Sequence, residues 1–187
     1  KNLGGFGDGG MVTTNDDVFA DRIAKLRIHG GEKRYYHSEV GVNSRLDALQ
    51  AAVLSIKLKY LEEWHVARAM NASIYNEIMK SAGDIGVITP RAPEAPARHI
   101  WNQYILRVIG ERRDALREHL AENGIGSDIY YPVPLHQQEC FAEISGEPLP
   151  HTELAALETV ALPIFPELTH DQVDHVATTI VAWLKTN

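Results

Sequence analysis

The chain has 187 residues, 44% of them hydrophobic and 23% charged, the balance of an ordinary globular protein with enough chain for one good-sized core or two modest domains. Its formal net charge of -7 argues against a nucleic-acid partner, whose binding surfaces are usually basic. A single cysteine, Cys140, excludes an internal disulfide and points to a reducing cytoplasm, and neither a signal peptide nor an apolar run of roughly 18 residues, the length that spans a bilayer, is found.

The chain opens on Lys1-Asn2-Leu3-Gly4-Gly5-Phe6-Gly7-Asp8-Gly9-Gly10, with five glycines in nine positions after the lysine. Such backbone must turn sharply or lie close against something, because a Cβ would obstruct it. A dinucleotide-binding turn would need a strand before these glycines and a helix after them, and a phosphate-cradling loop would need Lys where Met11 stands. Both readings fail on context. Met11 to Thr14 is a short β-branched run, and Asn15 is the expected cap of a helix whose Val18, Ile23, Leu26 and Ile28 share an apolar face. His29-Gly30-Gly31 stops it. Glu32 to Val42 reads as a polar, aromatic loop that either reaches a ligand or merely connects.

Ser44 and Asp47 are spaced as a capping box. Beyond them Leu46, Leu49, Val53, Ile56, Tyr60 and Trp64 form one apolar stripe, and Leu54, Leu58 and Leu61 a second. A helix apolar on two faces is expected to be buried from both sides. The pattern runs to a stop near Gly83, long enough to predict a bend or break.

The second half changes character. Val87 to Thr89 is a short predicted strand, Pro90 to Pro96 a proline-rich loop, and His99 to Val108 alternates like a half-buried strand. Arg112 to Asn123 is an amphipathic helix ended by Gly124. Ile129-Tyr130-Tyr131 reads as another strand, Leu154 to Val160 as a short helix, and Leu162 to Pro166 as extended. Thr169 and Gln172 make a capping box for a last helix whose Val173, Val176, Ile180, Trp183 and Leu184 face inward. The nine histidines lack ligand spacing, so no metal site is expected.

Lys1 to Gly10, the stretch Asn43-x-Arg45-x-Asp47-x-x-Gln50-Ala51-Ala52, His99-Ile100-Trp101-Asn102-Gln103 and Tyr130 to His136 resemble, in the right order, segments of the DegT/DnrJ/EryC1/StrS family of pyridoxal-phosphate nucleotide-sugar aminotransferases. The resemblance implies an α/β, fold type I (aspartate aminotransferase-like) enzyme. It implies that residues 1–80 are the C-terminal part of a large cofactor domain with an interdomain helix, that 81–187 are the small α+β domain, and that an N-terminal half precedes them. Lys1 then matches the Schiff-base lysine, whose amine attacks an aldehyde only when neutral, a state favoured by burial or nearby cations. Asn43 matches an asparagine that reaches the cofactor phosphate of the neighbouring subunit, where a helix N-terminus would also favour an anion. Arg45 matches an arginine that faces substrate in some members; a first-turn ion pair with Asp47 is the alternative.

Many family members carry His-Tyr-Pro where this chain has Tyr130-Tyr131-Pro132, so Tyr130 is either a substrate residue or a packed strand residue. His136 either borders the substrate pocket or ends a turn. The resemblance implies pyridoxal 5'-phosphate as cofactor, glutamate as amino donor, a nucleotide-linked deoxysugar as acceptor, and a homodimer with shared active sites. The His99–Gln103 run with Tyr130-Tyr131-Pro132 points to a 3-ketosugar rather than a 4-ketosugar. A regulatory or sensor protein that keeps the fold without turnover, and a dimerisation module built on the two-faced helix, are the competing expectations.

Overall fold

A computed structural model describes residues 1–144 and 146–187. By their contacts these form two units, one of Lys1 with Leu3–Leu61 and the other of Asn2 with Glu62–Asn187.

In the first unit helix α1 (Asp17–Leu26) is capped by Asp16, whose carboxylate accepts from the Phe19 amide. The cap is thus one residue later than expected, because Asp16, with extended backbone, is the residue three before that amide. Residues 11–14 form no strand; among the described residues none pairs with them, and Met11 and Val12 stay exposed. After α1 the chain turns through His29 (φ 66°) and Gly30 (φ 71°). The stretch expected to be a loop contains a small antiparallel hairpin, β1 (Gly31–Lys33) with β2 (Tyr36–His37), turned through Tyr35 at φ 70°. No alternation announces strands this short.

Helix α2 (Ala48–Lys57) runs through a 3-10 turn (Leu58–Tyr60) into α3 (Leu61–Ser81), which is the break that the long helical pattern predicts. The Ser44–Asp47 capping box is not formed: Asp47 is itself the N-cap and makes no side-chain cap bond. Nor is α2 buried on two sides within this chain, since none of its residues is buried and Leu49 is 83% exposed. Gly30 and Gly31 are the only buried residues described in the first unit.

The second unit has a core. Strand β4 (Tyr104–Val108) is the middle of a three-stranded antiparallel sheet, between β3 (Val87–Ile88) and β5 (Thr159–Leu162). The registers are Val87 opposite Val108 and Tyr104 opposite Leu162. Alternate residues Tyr104, Leu106 and Val108 are fully buried, as a sheet with one covered face requires. They pack with Tyr75 and Met79 of α3, Leu116 and Leu120 of α4 (Arg113–Glu122), and Val173, Val176, Ile180 and Leu184 of α6 (His170–Thr186). Both arms of the Thr169–Gln172 capping box are made.

Three expectations are corrected here. The strand begins at Tyr104, because Trp101, at φ 49°, turns the backbone and stacks on His99 with centroids 4.1 Å apart. Ile129 to Tyr131 is not a strand; only Asp128 bridges to Ala161. Helix α5 is Pro150–Glu158, and Val160 belongs to β5, where antiparallel pairing with β4 outweighs local helical preference.

Candidate active-site surfaces

In the first unit the glycine segment lies along α2. The Phe6 amide donates to Gln50 Oε1 at 2.7 Å, and Lys57 Nζ donates to the Gly4 carbonyl at 2.5 Å. Gly4 takes φ +64°, a conformation that favours glycine, and a Cβ there would stand 2.9 Å from the mobile end of Lys57. Lys1, at the head of the segment, is exposed.

Asn43 is set by the return of the chain to the end of α1. The His29 amide donates to the Val42 carbonyl (3.0 Å), the Ser44 amide to the Arg27 carbonyl (2.9 Å), and Ile28 bridges to Asn43. Asn43 therefore sits in extended backbone, five residues before α2 begins, and the helix N-terminus invoked for it lies elsewhere. Asn43, Ser44, Arg45 and Leu46 line an open cleft of about 920 Å³ together with Asp8–Val12 and with Arg27 of the α1 C-cap. The lining holds two guanidiniums (Arg27, Arg45), the Asn43 amide, two hydroxyls (Thr14, Ser44) and one carboxylate, Asp8. That donor set fits a phosphate. Lys1 does not line the cleft, and Arg45 makes no ion pair with Asp47 among the described residues. Arg27 had no signal in the sequence beyond its charge.

In the second unit Tyr130 borders two hollows. One, of about 370 Å³, is lined by Arg68, Asn102, Gln103, Ser127, Asp128 and the 161–165 strand end. The other, of about 250 Å³, holds Tyr130, Tyr131, Pro134, Leu135 and residues of α5. Tyr130 is 40% exposed, and a hydrogen bond with the Asp128 carboxylate raises its pKa. Tyr131 is more exposed still. His136 lines neither hollow; its Nε2 donates to Glu153 Oε1 at 3.0 Å, which ties the 135–137 turn to α5.

Arg68 was missed by sequence reasoning, since nothing distinguishes it from the other polar residues of a long helix. Its Nη1 donates to the Ile164 carbonyl (2.8 Å) and the Trp101 carbonyl (3.2 Å), while Nε is buried without a partner. Burial lowers its pKa, partly offset by Glu167. Among the described residues no group of three His, Cys, Asp or Glu side chains could hold a metal ion, and no helix is long and apolar enough to cross a membrane.

The first unit thus offers an anion-suited cleft lined in part by its glycine segment, in a chain of mixed helix and sheet. The chain belongs to the DegT/DnrJ/EryC1/StrS aminotransferase family, which matches residues 1–181. It is 42% identical over 99% of its length to a protein of Geobacillus stearothermophilus named pleiotropic regulatory protein, covering 50% of that protein. It is 40% identical over 98% of its length to a dTDP-3-amino-3,4,6-trideoxy-alpha-D-glucose transaminase of Streptomyces venezuelae, covering 48% of it. Its fold matches 49% of a crystal structure of S. venezuelae DesV in complex with a ketimine intermediate, with a TM-score of 0.92 and 38% identity over 99% of this chain. The chain thus spans about half the length of the curated relatives it matches.

Proposed function

We propose that the protein transfers an amino group from glutamate to the keto group of a nucleotide-linked deoxysugar, a 3-ketosugar rather than a 4-ketosugar, with pyridoxal 5'-phosphate as cofactor. The observation that carries this is the family match over residues 1–181, joined to 40% identity with a transaminase named for a 3-amino sugar. When bound, the cofactor supplies an aldehyde for an amine and a ring that withdraws electrons from the reacting carbon.

Lys1 Nζ binds the cofactor, and when released takes the proton from the carbon that bears the amino group and returns one on the acceptor side. Asn43, with Arg27 beside it in the cleft, holds the phosphate of a cofactor bound in a partner subunit of a homodimer. That arrangement agrees with the absence of Lys1 from the same cleft. Arg45 faces substrate from the cleft, and Tyr130 and Tyr131 face it from the second unit, with His136 bracing the turn beside them. In the complete enzyme residues 1–80 close the large domain with an interdomain helix, and 81–187 are the small domain.

A second reading has one observation in its favour: the G. stearothermophilus relative is named as a regulator. Absorption spectroscopy of the full-length protein separates the two. The enzyme reading expects a visible band that borohydride bleaches, that glutamate shifts, and that Lys1→Ala abolishes. It also expects turnover of 3-ketosugars in a panel of nucleotide ketosugars. A band that glutamate leaves unmoved favours the regulator, turnover of 4-ketosugars alone overturns the assigned position, and turnover by Lys1→Ala overturns the role of Lys1.

A further inference from the structure

We infer that Gln50 and Lys57 are positioning residues that fix the place of Lys1 by fastening the glycine segment behind it. The inference rests on the reading of Lys1 as the cofactor lysine. The two side chains stand seven residues apart on α2, two helical turns, and so project from one face. From that face Lys57 takes the Gly4 carbonyl and Gln50 takes the Phe6 amide, three and five residues beyond Lys1. Each bond alone is modest, but together they remove the freedom of a segment whose glycines would otherwise leave it loose.

The glycines themselves supply an independent observation. A Cβ would stand 2.9 Å from Lys57 Nζ at Gly4, 3.2 Å from Gln50 Oε1 at Gly5, and 2.8 Å from Gln50 Nε2 at Gly7. The atoms met are ends of flexible side chains, but Gly4 and Gly7 also take φ of +64° and +155°, which L side chains rarely adopt. The backbone conformation therefore keeps glycine at these two positions, and with it the approach of the segment to α2. The Lys57–Gly4 bond is partly buried, which keeps water from competing fully for it, while the Gln50–Phe6 bond is exposed. An amine that must both form a bond and carry a proton needs its backbone held to a fraction of an ångström, and a displacement of about 1 Å costs on the order of 100-fold in rate.

Four variants of the full-length protein test this. Gln50→Ala and Lys57→Met remove the clasp; Gln50→Glu keeps an oxygen for the Phe6 amide, and Lys57→Arg keeps a donor for the Gly4 carbonyl. In protein stripped of cofactor, Phe6 amide exchange in Gln50→Ala is expected to rise about three- to tenfold, the loss of one net hydrogen bond, with β4 exchange unchanged. In protein given pyridoxal phosphate, the rate of borohydride-fixed attachment to Lys1 is expected to fall about tenfold or more in both deleting variants. Gln50→Glu and Lys57→Arg are expected to recover most of it, which a merely structural loss would not show. Wild-type Phe6 exchange and attachment rates in Gln50→Ala and Lys57→Met, with the adduct still on Lys1, would overturn the positioning role alone. No adduct at Lys1 in the wild type would overturn the reading of Lys1 and this inference with it, even where Phe6 exchange responds.

Discussion

Arg68→Met isolates what one guanidinium does for the second unit. Methionine keeps the apolar stem of the side chain but removes Nη1, the donor of both bonds, leaving the Ile164 and Trp101 carbonyls without the bonds of 2.8 and 3.2 Å. A hydrogen bond from a charged donor contributes about 1.5–3 kcal/mol net. The shorter bond belongs near the middle of that range and the longer one below it. Against the sum stands the relief of a cation whose Nε is buried without a partner and whose charged form burial disfavours.

The balance is a loss of about 2–3 kcal/mol, equivalent to roughly 30- to 150-fold faster exchange of amides that open with this unit. The assay is native-state hydrogen exchange of β4 and β5 in the full-length protein, where Tyr104 faces Leu162. Arg68→Lys, with one compact ammonium, is expected to recover part of the loss. Exchange within threefold of wild type in Arg68→Met would refute the reasoning, and would mean that the two carbonyls find water at little cost.

Glu153 accepts from His136 and from the Leu149 amide, and these bonds, the histidine first, hold its carboxyl below the usual carboxylate range. A lowered folded-state value contributes stability above the unfolded carboxylate range and loses it as pH falls through the folded value. The advantage of wild type over Glu153→Gln in thermal melts is therefore expected at neutral pH and should vanish in acid. Thr169→Ala removes the acceptor for the Gln172 amide at 3.3 Å and is expected to cost about 1 kcal/mol, read from α6 amide exchange. Leu116→Ala, at a fully buried position under the sheet, should cost about 2–5 kcal/mol in the same measurement.

The sequence by itself determined whatever depends on neighbours a few residues away. The Thr169–Gln172 box, the alternation of Tyr104, Leu106 and Val108, the stop at Gly124 (φ 71°) and the break after Lys57 are all legible because capping, pleating and helical period act over three or four residues. The order of the family segments likewise made the family legible.

Only the tertiary structure decided the rest. Val160 became a strand residue because β4, some fifty positions earlier, offered it a ladder, and α3 joined the second unit because Tyr75 and Met79 complete that unit's core. Arg68 gained its role from two carbonyls 33 and 96 residues away, and the glycine segment gained its hydrogen bonds to Gln50 and Lys57 from a helix more than forty residues on. Such partners are chosen by burial and by the need to satisfy buried carbonyls and amides, and these act between residues that the chain order keeps far apart.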